Sequence, residues 1–95
     1  MTINIRLPDF GKVVEDVTAE IKARVERRTP VDTGRAQSSW ETSVTGHSAR
    51  IFNETPYIGF LETGTSKMPG VYMVQTTLEE VPDIIHEAIE KQKQN

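Results

Sequence analysis

Apolar and polar residues change period several times along this chain, and each change predicts an element. Ile3, Ile5 and Leu7 alternate with Asn4 and Arg6, the period of a short half-buried strand, which Pro8 stops. Asp9 is placed to cap a helix, because Phe10, Val13, Val14, Val17, Ile21 and Val25 recur at three- and four-residue steps and form one helical stripe. A first helix is therefore predicted over about 10–28. Its other face, with Lys12, Glu15, Asp16, Glu20, Lys22, Arg24, Glu26 and Arg27, reads as solvated and carries a Glu20–Arg24 pair at i,i+4. Thr29 precedes Pro30 and is pushed out of the helical region, so a loop is predicted from Thr29 to Arg35.

From Ser38 to Val44 bulky and polar residues alternate through Trp40, Thr42 and Val44, Thr45-Gly46-His47-Ser48 supplies a turn, and Ala49 to Phe52 rises again with Ile51 inside. This predicts a β-hairpin. Asn53 to Pro56 is another turn, and the apolar run from Tyr57 to Leu61 fits either a strand or a single helical turn. Gly64 to Gly70 reads as a polar loop. Beyond it Val74, Leu78, Val81, Ile85, Ala88 and Ile89 form a second helical stripe, with Pro82 at the start of a new helix or at a kink. The polar end, about 91–95, is expected to fray. No repeat or linker interrupts the pattern, so one domain over 1–95 is expected: α+β, with N-terminal and C-terminal helices packed on a small antiparallel sheet.

Composition sharpens this. The chain has 95 residues, 36% hydrophobic, 6% aromatic and 26% charged, so its core is thin and some apolar surface is left for a partner, which favours self-assembly. With no cysteine, disulfides and cysteine zinc sites are excluded. No apolar run reaches the length of a membrane span and the start does not resemble a signal peptide, so the expected setting is the cytoplasm, with no membrane partner. Residues 1–50 hold eight Lys/Arg against seven Asp/Glu, and residues 51–95 three against seven. An acidic C-terminal half argues against a phosphate-binding face and hence against specific DNA binding.

Asp32-Thr33-Gly34 is the signature tripeptide of aspartic proteases, in which two carboxylates share a proton and activate water from the end of an apolar strand. Here a charged helix and Thr29-Pro30 precede it, and Arg35 follows where those enzymes place a small residue. Asp32 and Gly34 are read as a tight turn instead. Gly59 and Gly64 have P-loop spacing, but Thr65 stands where the phosphate-binding lysine is required. His47 and His86 lack an i+4 ligand partner, and Ser38 and Ser39 lack a nucleophile elbow. Asn53-Glu54-Thr55 is a formal glycosylation sequon without functional weight. Trp40 is read as a core or interface anchor. No catalytic residue, cofactor or metal is expected.

Taken together, Thr29-Pro30-Val31-Asp32-Thr33-Gly34-Arg35 with a serine three or four places on, then Pro56-Tyr57 and Glu62-x-Gly64-Thr65-Ser66, resemble the small neck or tail-completion proteins (minor tail components) of long-tailed bacteriophages, over about residues 8–90. Where that family often has a Pro-Phe-like step before its last helix, this chain has Val71-Tyr72-Met73. The resemblance implies a non-enzymatic virion protein, made in the host cytoplasm. It implies a homo-oligomeric ring at the head–tail junction, between the head-completion or connector protein and the tail terminator or tail tube, with DNA passing through unbound. The alternatives are a nonviral homo-oligomeric interaction module and a dimeric aspartic protease using Asp32. On the first reading Asp32, Arg35, Tyr57, Glu62 and Thr65 lie at a subunit or ring interface, Glu62 is placed either to cap a turn or to meet a cation on a neighbour, with Arg35 the candidate for a charge pair across the interface, and Gly34 and Gly64 make structural turns. The competing reading is that both loops brace a single subunit.

Overall fold

The computed structural model describes residues 1–7, 12–30 and 34–93, among which there are three strands and five helices. They are β1 (Thr2–Arg6), α1 (Val13–Arg28), α2 (Arg35–Ser38), β2 (Glu41–Thr45), β3 (Ser48–Phe52), α3 (Ile58–Thr63), α4 (Met73–Glu79) and α5 (Val81–Lys93). The fold is α+β. The sheet is antiparallel with order β1-β3-β2, and β3 pairs Ile51 with both Ile3 and Thr42, and Ala49 with both Ile5 and Val44. Gly46 turns the hairpin with φ +58, the left-handed value that the first central residue of a type II′ turn requires.

The predicted α1 stripe is the core. Val13, Val14, Val17, Ile21 and Val25 are buried, as are Ile3, Ala49 and Ile51 of the sheet and Met73, Ile84 and Ala88 of α4 and α5. α1 packs against β2 and β3 and also against α2, α4 and α5. Because the body measures only 47 × 22 × 19 Å, this one helix is enough to form its centre. The cap and first turn proposed at Asp9 and Phe10 lie outside the described residues. Among the described residues, no helix is long and apolar enough to cross a membrane.

Several boundaries differ from those the sequence pattern predicts. Arg35–Ser38 is a short helix rather than the end of a loop and the start of a strand, and β2 begins only at Glu41. Tyr57 to Leu61 resolves as helical. The C-terminal stripe is cut at Glu80, where α4 ends and α5 begins with Pro82 in its first turn. That break resets the phase: α4 turns Met73 and Thr77 inward and leaves Leu78 44% exposed, while α5 buries Ile84 and Ala88 with Ile85 and Ile89 at the margin. Of the end expected to fray, 91–93 continue α5 to Lys93, and 94–95 lie outside the described residues.

Two polar features tie α1 to the rest. At its end Thr29, 1% exposed, donates its hydroxyl to the Val25 carbonyl at 2.6 Å and accepts the Trp40 indole N–H at 2.9 Å. Trp40 is thus a core anchor whose polar tip is satisfied. On its outer face the Glu20–Arg24 pair forms at 2.8 Å as expected, but this face is not simply solvated: Arg24 reaches Glu80 at 3.0 Å and Arg28 meets Glu80 at 2.7 Å. Arg28 also donates to the buried Thr77 hydroxyl at 2.7 Å. The hydrogen bonds from Arg28, and then from Arg24, hold the Glu80 carboxyl far below the ordinary glutamate value, at about 2.

This packing predicts two outcomes. Glu80 titrates lower when folded than when unfolded, so its contribution is complete above the unfolded value of 4.5 and is lost as pH falls through about 2. Glu80→Gln should therefore lose stability at pH 7 and show a shallower acid decline than wild type in that window, measured by urea unfolding at a series of pH values. Thr29→Val keeps the shape but leaves the Trp40 N–H buried without an acceptor; it should cost about 1–3 kcal/mol in the same assay.

Candidate subunit-contact surface

The segment from Tyr57 to Tyr72 is built as one cross-tied unit. The Tyr57 carbonyl accepts the N–H groups of Phe60 at 3.1 Å and Leu61 at 3.3 Å, which starts α3. Gly64 ends it with φ +87, and the chain doubles back: Thr65 N–H donates to the Met68 carbonyl at 2.8 Å, Val71 N–H to Leu61 at 2.8 Å and Tyr72 N–H to Glu62 at 3.0 Å. Thr65 fixes the tip by accepting the N–H groups of Lys67 and Met68, each at 3.2 Å. Gly64 is required twice over, by its left-handed backbone and because a Cβ there would stand 2.5 Å from the Gly70 nitrogen and 2.6 Å from the Met68 carbonyl oxygen. Gly59, by contrast, lies within α3, so this stretch is a helix and not a phosphate-cradling loop.

Glu62 locks the unit to α4. It is only 6% exposed, and its two carboxylate oxygens accept the N–H groups of Val74 at 2.8 Å and Gln75 at 2.9 Å. A negative charge on the unpaired donors of a helix start is favourable on both hydrogen-bond and dipole grounds. The Glu62 carboxylate, expected either to cap a turn or to meet a cation on a neighbour, here caps α4 within its own chain. Tyr72, at φ +48, is a non-glycine residue in the left-handed region, a conformation held by the surrounding bonds.

Beside the exposed polar side chains of Thr65, Ser66 and Lys67, this cross-tied unit presents large apolar ones: Phe60 is 63% and Met68 64% exposed, and Val71 and Tyr72 are close to half exposed. The sequence motifs mark this segment through its polar members, Glu62 and Thr65. They do not reveal the exposed apolar side chains, whose orientation depends on the Gly64–Pro69 bridge, which no periodicity encodes. Tyr57 is half-buried and packs against the core.

The other predicted segment is braced from inside. Asp32, with Val31 and Thr33, lies outside the described residues. Gly34 holds φ +74 at the start of α2, so both predicted turn glycines adopt left-handed backbone. Arg35 is exposed on α2 and lines an open hollow of about 230 Å³ with Ser39, Glu41, Glu54 and Thr55. Asn53, fully buried, joins the two segments: its amide N–H donates to the Ala36 carbonyl at 2.8 Å and its oxygen accepts the Thr55 N–H at 2.9 Å. The sequon asparagine is therefore a structural tie. Among the described residues, no three His, Cys, Asp or Glu side chains gather in a way that could hold a metal ion.

Compared with known proteins, the chain matches no family model, no curated protein and no solved structure. The geometry itself supplies a test. Glu62→Ala removes the cap of α4 and should lower stability by about 1–2 kcal/mol, with Glu62→Gln retaining part of it. An unchanged urea midpoint for Glu62→Ala would show that α4 does not depend on this carboxylate.

Proposed function

We propose that this chain is a structural, non-catalytic virion protein. Identical copies form a ring at the head–tail junction of a long-tailed phage, joining the head-completion or connector protein to the tail terminator or tail tube while DNA passes through without specific contact. The reading begins from the resemblance carried by Thr29 to Arg35 and by Tyr57 to Ser66. The observation that carries it is the stiff, apolar display of Phe60, Met68, Val71 and Tyr72. Large apolar side chains held on a rigid backbone lose little freedom on binding and supply the desolvated anchors of an interface. In a monomer the same exposure brings no benefit. Arg35, exposed beside Glu41 and Glu54, adds a polar rim that sets orientation more than affinity.

Phe60→Asp tests this. Because Phe60 is mostly exposed, the variant should unfold within about 0.5 kcal/mol of wild type. Native mass spectrometry should nevertheless find it as monomer where wild type forms a closed ring. Arg35→Glu should weaken the ring with equally little effect on unfolding. A wild-type chain that is monomeric at every concentration would overturn the reading, as would a Phe60→Asp variant that still assembles normally.

A further inference from the structure

All five residues of β2 are exposed, although the strand lies in the sheet. Its sequence Glu41-Thr42-Ser43-Val44-Thr45 contains no proline or lysine, and its uninterrupted register with β3 leaves no bulge. These are the usual means of blocking an open strand edge, and β2 has none of them. Level with the buried Ile51 and Ala49, Thr42 and Val44 are nevertheless exposed, Val44 by 43%, although α1 packs beside the strand. At the opposite side of the sheet β1 has a second edge that no strand among the described residues pairs.

We infer that β1 of one copy docks on β2 of the next, so that the sheet continues from subunit to subunit; this rests on the ring reading above. A ring requires two different patches that fit each other, whereas a two-fold dimer uses one patch twice. One sheet with two open edges supplies such a pair. Strand direction then decides the pairing. β1 and β2 both run antiparallel to β3 and therefore parallel to each other. A rotation of one-third of a turn or less cannot reverse a strand, so ring neighbours meet with β2 and β1 parallel. A β2–β2 contact would be antiparallel and would stop at a dimer.

The side chains suit that pairing. Thr2 and Glu41 lie level through Phe52, Asn4 and Ser43 through Arg50, and Ile5 and Val44 through Ala49. At equal level the half-buried Ile5 of the next copy comes beside the exposed Val44, which closes apolar surface that both leave open. Glu41 comes beside Thr2 of the next copy, and no like charges oppose each other.

The absence of native cysteine allows a direct test by disulfide trapping. Asn4 and Ser43 are exposed and two strands apart within one chain, a separation of about 9–10 Å, which exceeds the reach of a disulfide. Any bond between N4C and S43C must therefore join two molecules. Oxidation of the N4C/S43C variant, with E41C or T45C replacing S43C to cover a two-residue stagger either way, should give a ladder of covalent oligomers ending at the mass of the ring. Each single variant should stay unlinked, and the reduced proteins should unfold like wild type. Dimers from S43C alone would overturn the inference in favour of a two-fold edge contact. No ladder from any pair, with native mass spectrometry still recording the ring, would overturn the edge assignment and leave the ring standing. Monomers alone in native mass spectrometry would overturn both.

Discussion

Burial of one face of α1 is the constraint on which the rest depends. Val13, Val17, Ile21 and Val25 have at most 1% of their surface exposed, yet the chain has too few large apolar residues to build a second core. The sheet must therefore pack on α1 through Ile3, Ala49 and Ile51, and the C-terminal helices must pack on it through Met73, Ile84 and Ala88. Neither the small sheet nor the short helices would persist alone, since a few strands or turns bury too little surface to offset their ordering. Burial on α1 makes them one cooperative unit.

Given that core, the polar ties decide how the connecting segments lie. Thr29 satisfies the Trp40 indole, Asn53 spans from the end of β3 to α2, and Glu62 caps α4. Among the described residues, no buried side-chain nitrogen or oxygen is without a partner, so each tie is favourable where an unpaired group would be costly. The motif residues thereby divide. Thr29, Glu62 and Gly64 work inside the chain, whereas Arg35, Thr65 and the apolar side chains around them face outward. A conspicuous motif in this protein is thus partly a bracing device and partly a displayed surface.

The same thin core leaves surface uncovered. The residues of β2 stay exposed although α1 packs beside the strand, and α3 and the doubled-back chain after it hold Phe60 and Met68 away from any core position. An assembling protein gains from this arrangement because backbone hydrogen bonds within the chain hold both the open edge and the apolar display in place before a partner arrives. The proposed ring and the proposed sheet extension use these two features and require nothing from a catalytic or metal-binding group.

How much of this was legible in the sequence depends on the range of the interaction. The strand at Ile3–Leu7, the α1 stripe, the hairpin, the Glu20–Arg24 pair, the turns at Gly34 and Gly64 and the α+β class arise from local periodicity, i,i+4 spacing and glycine chemistry. Pro82 signals the break at Glu80, but the side chains that hold Glu80 come from Arg24 and Arg28, more than 50 residues earlier, and periodicity did not show that the inward face of α4 is Met73 and Thr77 rather than Val74 and Leu78. Sequence distance likewise hid the Thr29–Trp40 and Asn53–Ala36 bonds, and Glu62 was legible as a capping residue at a turn but not as the cap of α4. The exposure of β2 was equally hidden, since Trp40, Thr42 and Val44 alternate as an inward face would, yet only Trp40 is buried and the strand forms an edge of the sheet. Local pattern determined which elements form; long-range packing and the pairing of buried polar groups decided which faces remain open to a partner.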